Sequence, residues 1–317
     1  MPSPSPSALL HATARHEAGH AIIAELLFAS MRGITKPVIR QVEAFPDGTG
    51  GVRYVAGPDV PATLKPRLCI AHTHSRLRTG SPVIWDAVCD FRIASSQDTY
   101  NHPRSGLHEK TLAIVARDIL SACGQSADAL FDVGILYDWL TVYEAVPPPG
   151  YNPAYGDGGH APAGYADYAD ASYFVGSLLA YAGYTDRRAI AADLLVVLAG
   201  PAAEGVDIQA HAATSDLFIS TALFDALHAV DDFYVSTEVQ DATRTKILQI
   251  TADVLNHPQI KQTRDALEAL LIANNIISGD PYAAWATAVR GLAADFPDVQ
   301  YVLNYALDTA ETLLIPA

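Results

Sequence analysis

The strongest chemical signal in the chain is the segment His16-Glu17-Ala18-Gly19-His20. Residues four apart lie on one face of an α-helix, so both imidazoles can bind one zinc ion at about 2.0–2.1 Å. Glu17 is rotated about a quarter turn from His16 and can flank the ion without binding it. From there its carboxylate can take a proton from the water that attacks a substrate carbonyl, which is the chemistry of an H-E-x-x-H helix.

The surroundings of this motif favour metal chemistry over coincidence. Random placement would give the pattern in about one of a hundred chains of this composition. The motif lies inside a helical pattern from about Ser7 to Met31. Gly19 costs such a helix about 1 kcal/mol relative to Ala, so we expect another segment to pack closely there. The alternative is a structural helix with a chance motif and no metal.

The remaining pattern predicts a mainly α fold with a small β-hairpin or sheet. Two β-like runs, 38–45 and 52–55, flank turn-forming residues, which predicts the hairpin. We expect N-caps at Asp186, at Asp298 and at Ser236 or Thr237. The predicted helices after the hairpin region cover 107–123, 127–145, 172–183, 186–205, 214–230, 236–256, 259–277, 281–294 and 298–314.

The chain is expected to fold as one domain over 8–317, after a disordered leader at 1–7. Residues 57–190 are interpreted as an insertion or lid of unknown role. Part of it, 146–170, is rich in Pro, Gly, Tyr and Asp and predicts a long loop.

Composition excludes several classes of partner. The net charge is −15, from 35 acidic against 20 basic side chains, which disfavours nucleic acid and anionic membrane surfaces. No apolar run is long enough to cross a bilayer, so no membrane insertion is expected. The three cysteines are widely spaced and read as reduced thiols. We therefore expect a cytoplasmic protein.

Several stretches resemble one known family in the same order. His16 to Ala21 resembles the H-E-A-G-H-A helix of FtsH-type zinc peptidases, the protease half of membrane-bound AAA proteases. Val38 to Tyr54 is similar to the hairpin that follows that helix. Leu194 to Glu204 is similar to the family's apolar helix ending in Gly-Gly-Arg-x-Ala-Glu-Glu, and 213–217 resembles its Ala-Ser-x-Asp-Leu/Ile segment. Thr263 to Gly279 resembles its closing helix and turn.

The resemblance implies a zincin-like peptidase domain that binds one Zn²⁺ per chain and hydrolyses peptide bonds of protein or unfolded polypeptide substrates. It also implies a role for each matching residue. The zinc ligands would be His16, His20 and Asp216, the general base Glu17, and the substrate-binding edge strand Gly50, Gly51 and Val52.

The chain also departs from this family. It contains no G-x-x-x-x-G-K-[ST] motif and no membrane helix, so we expect ATP-independent activity. A separate unfoldase or a homo-oligomer remains open as a partner. Pro201 replaces the family's Arg and should bend or restart its helix.

Alternatives remain open at several positions. Asp216 could instead cap the helix that begins there. Glu204 could be the third ligand, as in other H-E-x-x-H lineages that include regulatory peptidases, or it could orient a ligand His. His211 is a further competitor, and His72 with His74 could form a second metal site. The chain could also be a catalytically silent zinc-binding scaffold on a peptidase fold.

Overall fold

The computed structural model describes residues 5–32, 37–54, 186–205 and 237–315, together with helical positions between 216 and 227. The described part is mostly helical, with one small antiparallel sheet, as expected. Its elements are α1 (Pro6–Arg32), β1 (Ile39–Ala44), β2 (Gly50–Tyr54), α2 (Arg187–Val197), α3 (Ala199–Glu204), α4 (Thr237–Leu255), α5 (Pro258–Asn274), β3 (Ile276–Ser278), α6 (Gly279–Asp295) and α7 (Pro297–Leu313).

Helix α1 is the centre of a compact unit made of residues 1–60, 186–211 and 236–317. Every position from Glu17 to Phe28 is buried, so this part of the helix is covered on all sides. Helices α2, α3, α5 and α6 and strands β1 and β2 all pack against it. A helix buried all round needs small residues where neighbours approach, which Ala18, Gly19 and Ala21 provide.

The sheet has the strand order β2-β1-β3 and is antiparallel throughout. The predicted hairpin is confirmed, and β1 and β2 pair with Val42 opposite Val52. The turn depends on Gly48, whose φ of 84° is unfavourable for other residues. It also depends on Asp47, which accepts hydrogen bonds from the Thr49 backbone and hydroxyl. These bonds lower the pKa of Asp47 from its usual value.

The third strand corrects the predicted helix over 259–277. Helix α5 ends at Asn274 because Asn275 adopts a left-handed conformation, with φ 60°. The β-branched pair Ile276 and Ile277 then pairs with β1. The helical prediction for 275–277 was therefore wrong.

The segment predicted as one helix over 186–205 is two helices. Asp186 caps α2 as expected, accepting from the backbone N–H groups of Arg188 and Ala189. The break at Leu198 confirms the prediction that Pro201 bends or restarts the helix. Pro201 has no N–H to donate, and its ring would clash with the preceding turn of a continuous helix. Asp298 was wrongly predicted as a cap, because Phe296 takes that position and Pro297 is the first helical residue.

Several sequence predictions lie outside the described residues. They concern the leader at 1–4, almost all of the insertion at 57–190, the helix at 172–183, and His72, His74 and His211. Within the described residues, no helix combines the length and the apolar character that a membrane span requires.

Candidate metal centre

His16 and His20 lie on one face of α1, as their spacing predicts. Their Nε2 atoms are 3.0 Å apart, and the rings meet edge to face with centroids 4.6 Å apart. Two ligands of one zinc ion, each about 2.0–2.1 Å from it, can be at most about 4.2 Å apart. The pair is therefore close enough to bind a single ion.

The other nitrogen of each ring contacts an oxygen that can only accept. His16 Nδ1 lies 3.0 Å from Glu204 Oε1, and His20 Nδ1 lies 2.8 Å from the backbone oxygen of Val196. Both Nδ1 atoms must then carry the hydrogen. In the neutral rings this leaves a lone pair on each Nε2, the nitrogen that can bind a metal ion. Outer hydrogen bonds like those of the two Nδ1 atoms orient metal-binding histidines in proteins.

Two glycines let the α2–α3 segment approach these histidines. A Cβ atom at Gly200 would come within 2.5 Å of His16 Nε2 and would also contact His20 Nε2. Gly19 lies against α3, where a Cβ would contact the Ala199 carbonyl oxygen and approach Ala203 Cβ to 2.8 Å. The close packing expected at Gly19 is thus confirmed, and any side chain at position 200 would collide with both Nε2 atoms.

Glu17 is buried beside the first residue of strand β2. Its side chain is next to Gly50, where an added Cβ would lie 2.9 Å from Glu17 Oε1 and 2.6 Å from Thr13 Cγ2. Of the three residues predicted to bind substrate, Gly50 therefore adjoins the predicted base. Gly51 is near Glu43 on the other face of the sheet, and Val52 pairs with Val42.

Asp216, the residue predicted as third ligand, is buried at 5% exposure. The role of Asp216 as third ligand stays a prediction. The Glu204 carboxylate contacts the outer nitrogen of His16. This contact favours Glu204 as the residue that orients His16.

Two site residues were missed by sequence reasoning. The Val196 carbonyl lies within an apolar helix and carries no signal, because any residue type would present the same backbone oxygen. Gly200 was noted only as part of a family-like motif. Its role depends on α3 packing against α1, which local spacing does not reveal.

Glu204→Ala should lower zinc affinity about 10- to 100-fold, because His16 loses the acceptor that fixes its orientation. Isothermal titration with zinc can measure this loss. Glu311→Ala, on α7, serves as the control for removing a carboxylate. If Glu204 were itself a ligand, Glu204→Ala would bind less than one zinc per chain even at saturating zinc. We expect that loss of stoichiometry for Asp216→Ala and not for Glu204→Ala.

Comparison of the chain with protein-family models, curated proteins and solved structures finds no match in any of the three.

Proposed function

We propose that the protein is a zinc-dependent endopeptidase that hydrolyses peptide bonds in protein or unfolded polypeptide substrates. One observation carries the proposal: the two Nε2 atoms of His16 and His20 are 3.0 Å apart while both Nδ1 atoms contact acceptors. One zinc ion could bind both Nε2 atoms at its usual distance of about 2.0–2.1 Å. The residues present therefore fit a metal ion.

With Asp216 as the third ligand, as the sequence resemblance implies, His16, His20 and Asp216 would hold the ion as a two-histidine, one-carboxylate set. Such a set leaves a position open for catalysis. A zinc ion bound there would lower the pKa of water and polarise a substrate carbonyl. Glu17 follows His16 directly and is buried on the same stretch of α1. Its carboxylate would accept the proton of the attacking water and later pass it to the leaving amine.

The sheet supports a polypeptide substrate. Within the described residues, β2 is an edge strand, and its first residue, Gly50, lies against Glu17. An extended chain that adds to this edge would form backbone hydrogen bonds and pass the base. Gly50 and Gly51 offer no side chains that would obstruct it. Binding through the backbone suits substrates of varied sequence.

The proposal predicts one zinc per chain and proteolysis that a chelator abolishes. Elemental analysis of the purified protein and cleavage of unfolded casein, with and without chelator, measure both. His20→Ala should lose the metal and all cleavage, because one imidazole cannot hold the ion. His11→Ala is the matched control, since His11 is an exposed histidine on the same helix.

Two results would count against the proposal. A metal-free wild-type protein that does not take up zinc would contradict the metal centre itself. Stoichiometric zinc without cleavage of any unfolded polypeptide would contradict the catalytic role and leave a zinc-binding scaffold.

A further inference from the structure

Arg53 is the exposed charged residue of strand β2. Its side chain is 53% exposed, and its Nε and Nη2 atoms donate to Glu43 Oε1 at 3.1 and 2.6 Å. The Glu43 side chain is only 13% exposed, and its other oxygen accepts from Gln41 Nε2 at 2.8 Å. An incoming molecule therefore meets the guanidinium before the carboxylate.

The position of Arg53 along β2 relates it to Glu17. Strand residues alternate between faces, so Gly51 and Arg53 share the face opposite to Gly50, which lies against Glu17. Arg53 is three residues beyond Gly50, or about 10 Å along the strand at about 3.3 Å per residue. A substrate strand on the edge of β2 would thus pass Glu17 at one point and Arg53 about three residues away.

We infer, given the proposed function, that Arg53 is a specificity residue that favours Asp or Glu in the substrate about three residues before the scissile bond. The sheet is antiparallel throughout, so an added strand that continues this pattern runs opposite to β2. Its earlier residues then lie beside Arg53 and its scissile bond beside Gly50. The substrate's carboxylate would approach the exposed side of a guanidinium that Glu43 holds in place.

The expected preference is modest, because exposed ion pairs are weak. Two peptides that differ only by Glu or Lys at the third residue before the scissile bond should differ about two- to fivefold in kcat/KM, in favour of Glu. Arg53→Gln should remove the preference, and Arg53→Glu should reverse it. The preference of the wild type should shrink in 1 M salt, where charges are screened within about 3 Å.

Arg40→Glu provides the matched control. Arg40 is an exposed arginine on the neighbouring strand β1, at the irregularity between Ile39 and Gln41. The substitution changes the net charge of the hairpin by the same amount as Arg53→Glu. It should leave the peptide preference unchanged.

Binding of both peptides to the Glu17→Gln variant, measured by fluorescence anisotropy, gives a readout that does not require turnover. If the wild type cleaved the two peptides equally and Glu17→Gln bound them equally, the inference would be overturned. The proposed function would still stand. Retention of the Glu preference in Arg53→Glu would also overturn it. If no peptide is bound or cleaved at all, the proposed function fails together with the inference.

Discussion

Glu17→Gln should reduce peptide hydrolysis by about 10²- to 10⁴-fold while zinc remains bound. The amide has nearly the shape of the carboxylate, so the packing of Glu17 against Gly50 should persist. The amide cannot accept a proton from the attacking water, however, so the proposed general base is lost. The proposed metal ligands His16, His20 and Asp216 are unchanged. Steady-state cleavage of a casein-type substrate, together with zinc content, measures both effects.

The control for this variant is Glu311→Gln, which makes the same chemical change on α7, outside the site. It should retain wild-type cleavage and zinc. Glu17→Gln with stoichiometric zinc and the wild-type rate would show that Glu17 is not the base. Loss of zinc in Glu17→Gln would instead show that its carboxylate helps to form the metal centre.

The sequence predicted those parts of the site that depend on local spacing. His16 and His20 face the same way because four residues make about one helical turn, and this holds wherever the helix packs. The hairpin was likewise predicted by its turn, since Asp47 and Gly48 determine the local backbone. Such features depend on neighbours in the chain and can be read without knowledge of the fold.

Other parts depend on contacts between distant segments. Strand β3 pairs with β1 although more than two hundred residues separate them in the sequence. The residues of β3 directly follow a strongly helical pattern, so the predicted helix extended into this strand. The Val196 carbonyl orients His20 only because α2 packs against α1. Sequence patterns show which face of a helix is apolar, but they do not show which neighbour covers it.

Glu25 is a further residue whose role depends on contacts between distant segments, and no sequence pattern indicated it. It lies on α1, is 0% exposed, and its carboxylate accepts from the backbone N–H groups of Val38 and Ile39 at 3.2 and 3.3 Å. It also accepts from Tyr282 Oη at 2.9 Å and from Arg290 Nε and Nη2 at 2.8 and 2.6 Å. One buried carboxylate thus connects the central helix with the start of β1 and with α6.

Glu25→Ala should lower the free energy of unfolding by about 3–5 kcal/mol, because it removes the carboxylate that pairs with the Arg290 guanidinium. The Arg290 side chain is only 11% exposed, so water cannot fully replace this partner. Two backbone N–H groups and a tyrosine hydroxyl lose the same acceptor, which adds to the cost. Arg290→Ala should cost about as much, since it leaves the buried carboxylate without its cation. Urea unfolding followed by circular dichroism measures these losses.

The comparison that tests this prediction is Glu311→Ala, which breaks a partly exposed ion pair with Arg188 at 2.7 Å. Solvent screens that pair, so its loss should cost about 1 kcal/mol or less. The loss in the free energy of unfolding should therefore depend on how deeply the broken ion pair is buried, and not on how many ion pairs are broken. If Glu25→Ala destabilised the protein no more than Glu311→Ala does, the Glu25 network would not be what holds α1 to β1 and α6. The helix that presents His16 and His20 would then be held by its apolar packing and its other polar contacts, such as the Arg15–Glu268 ion pair.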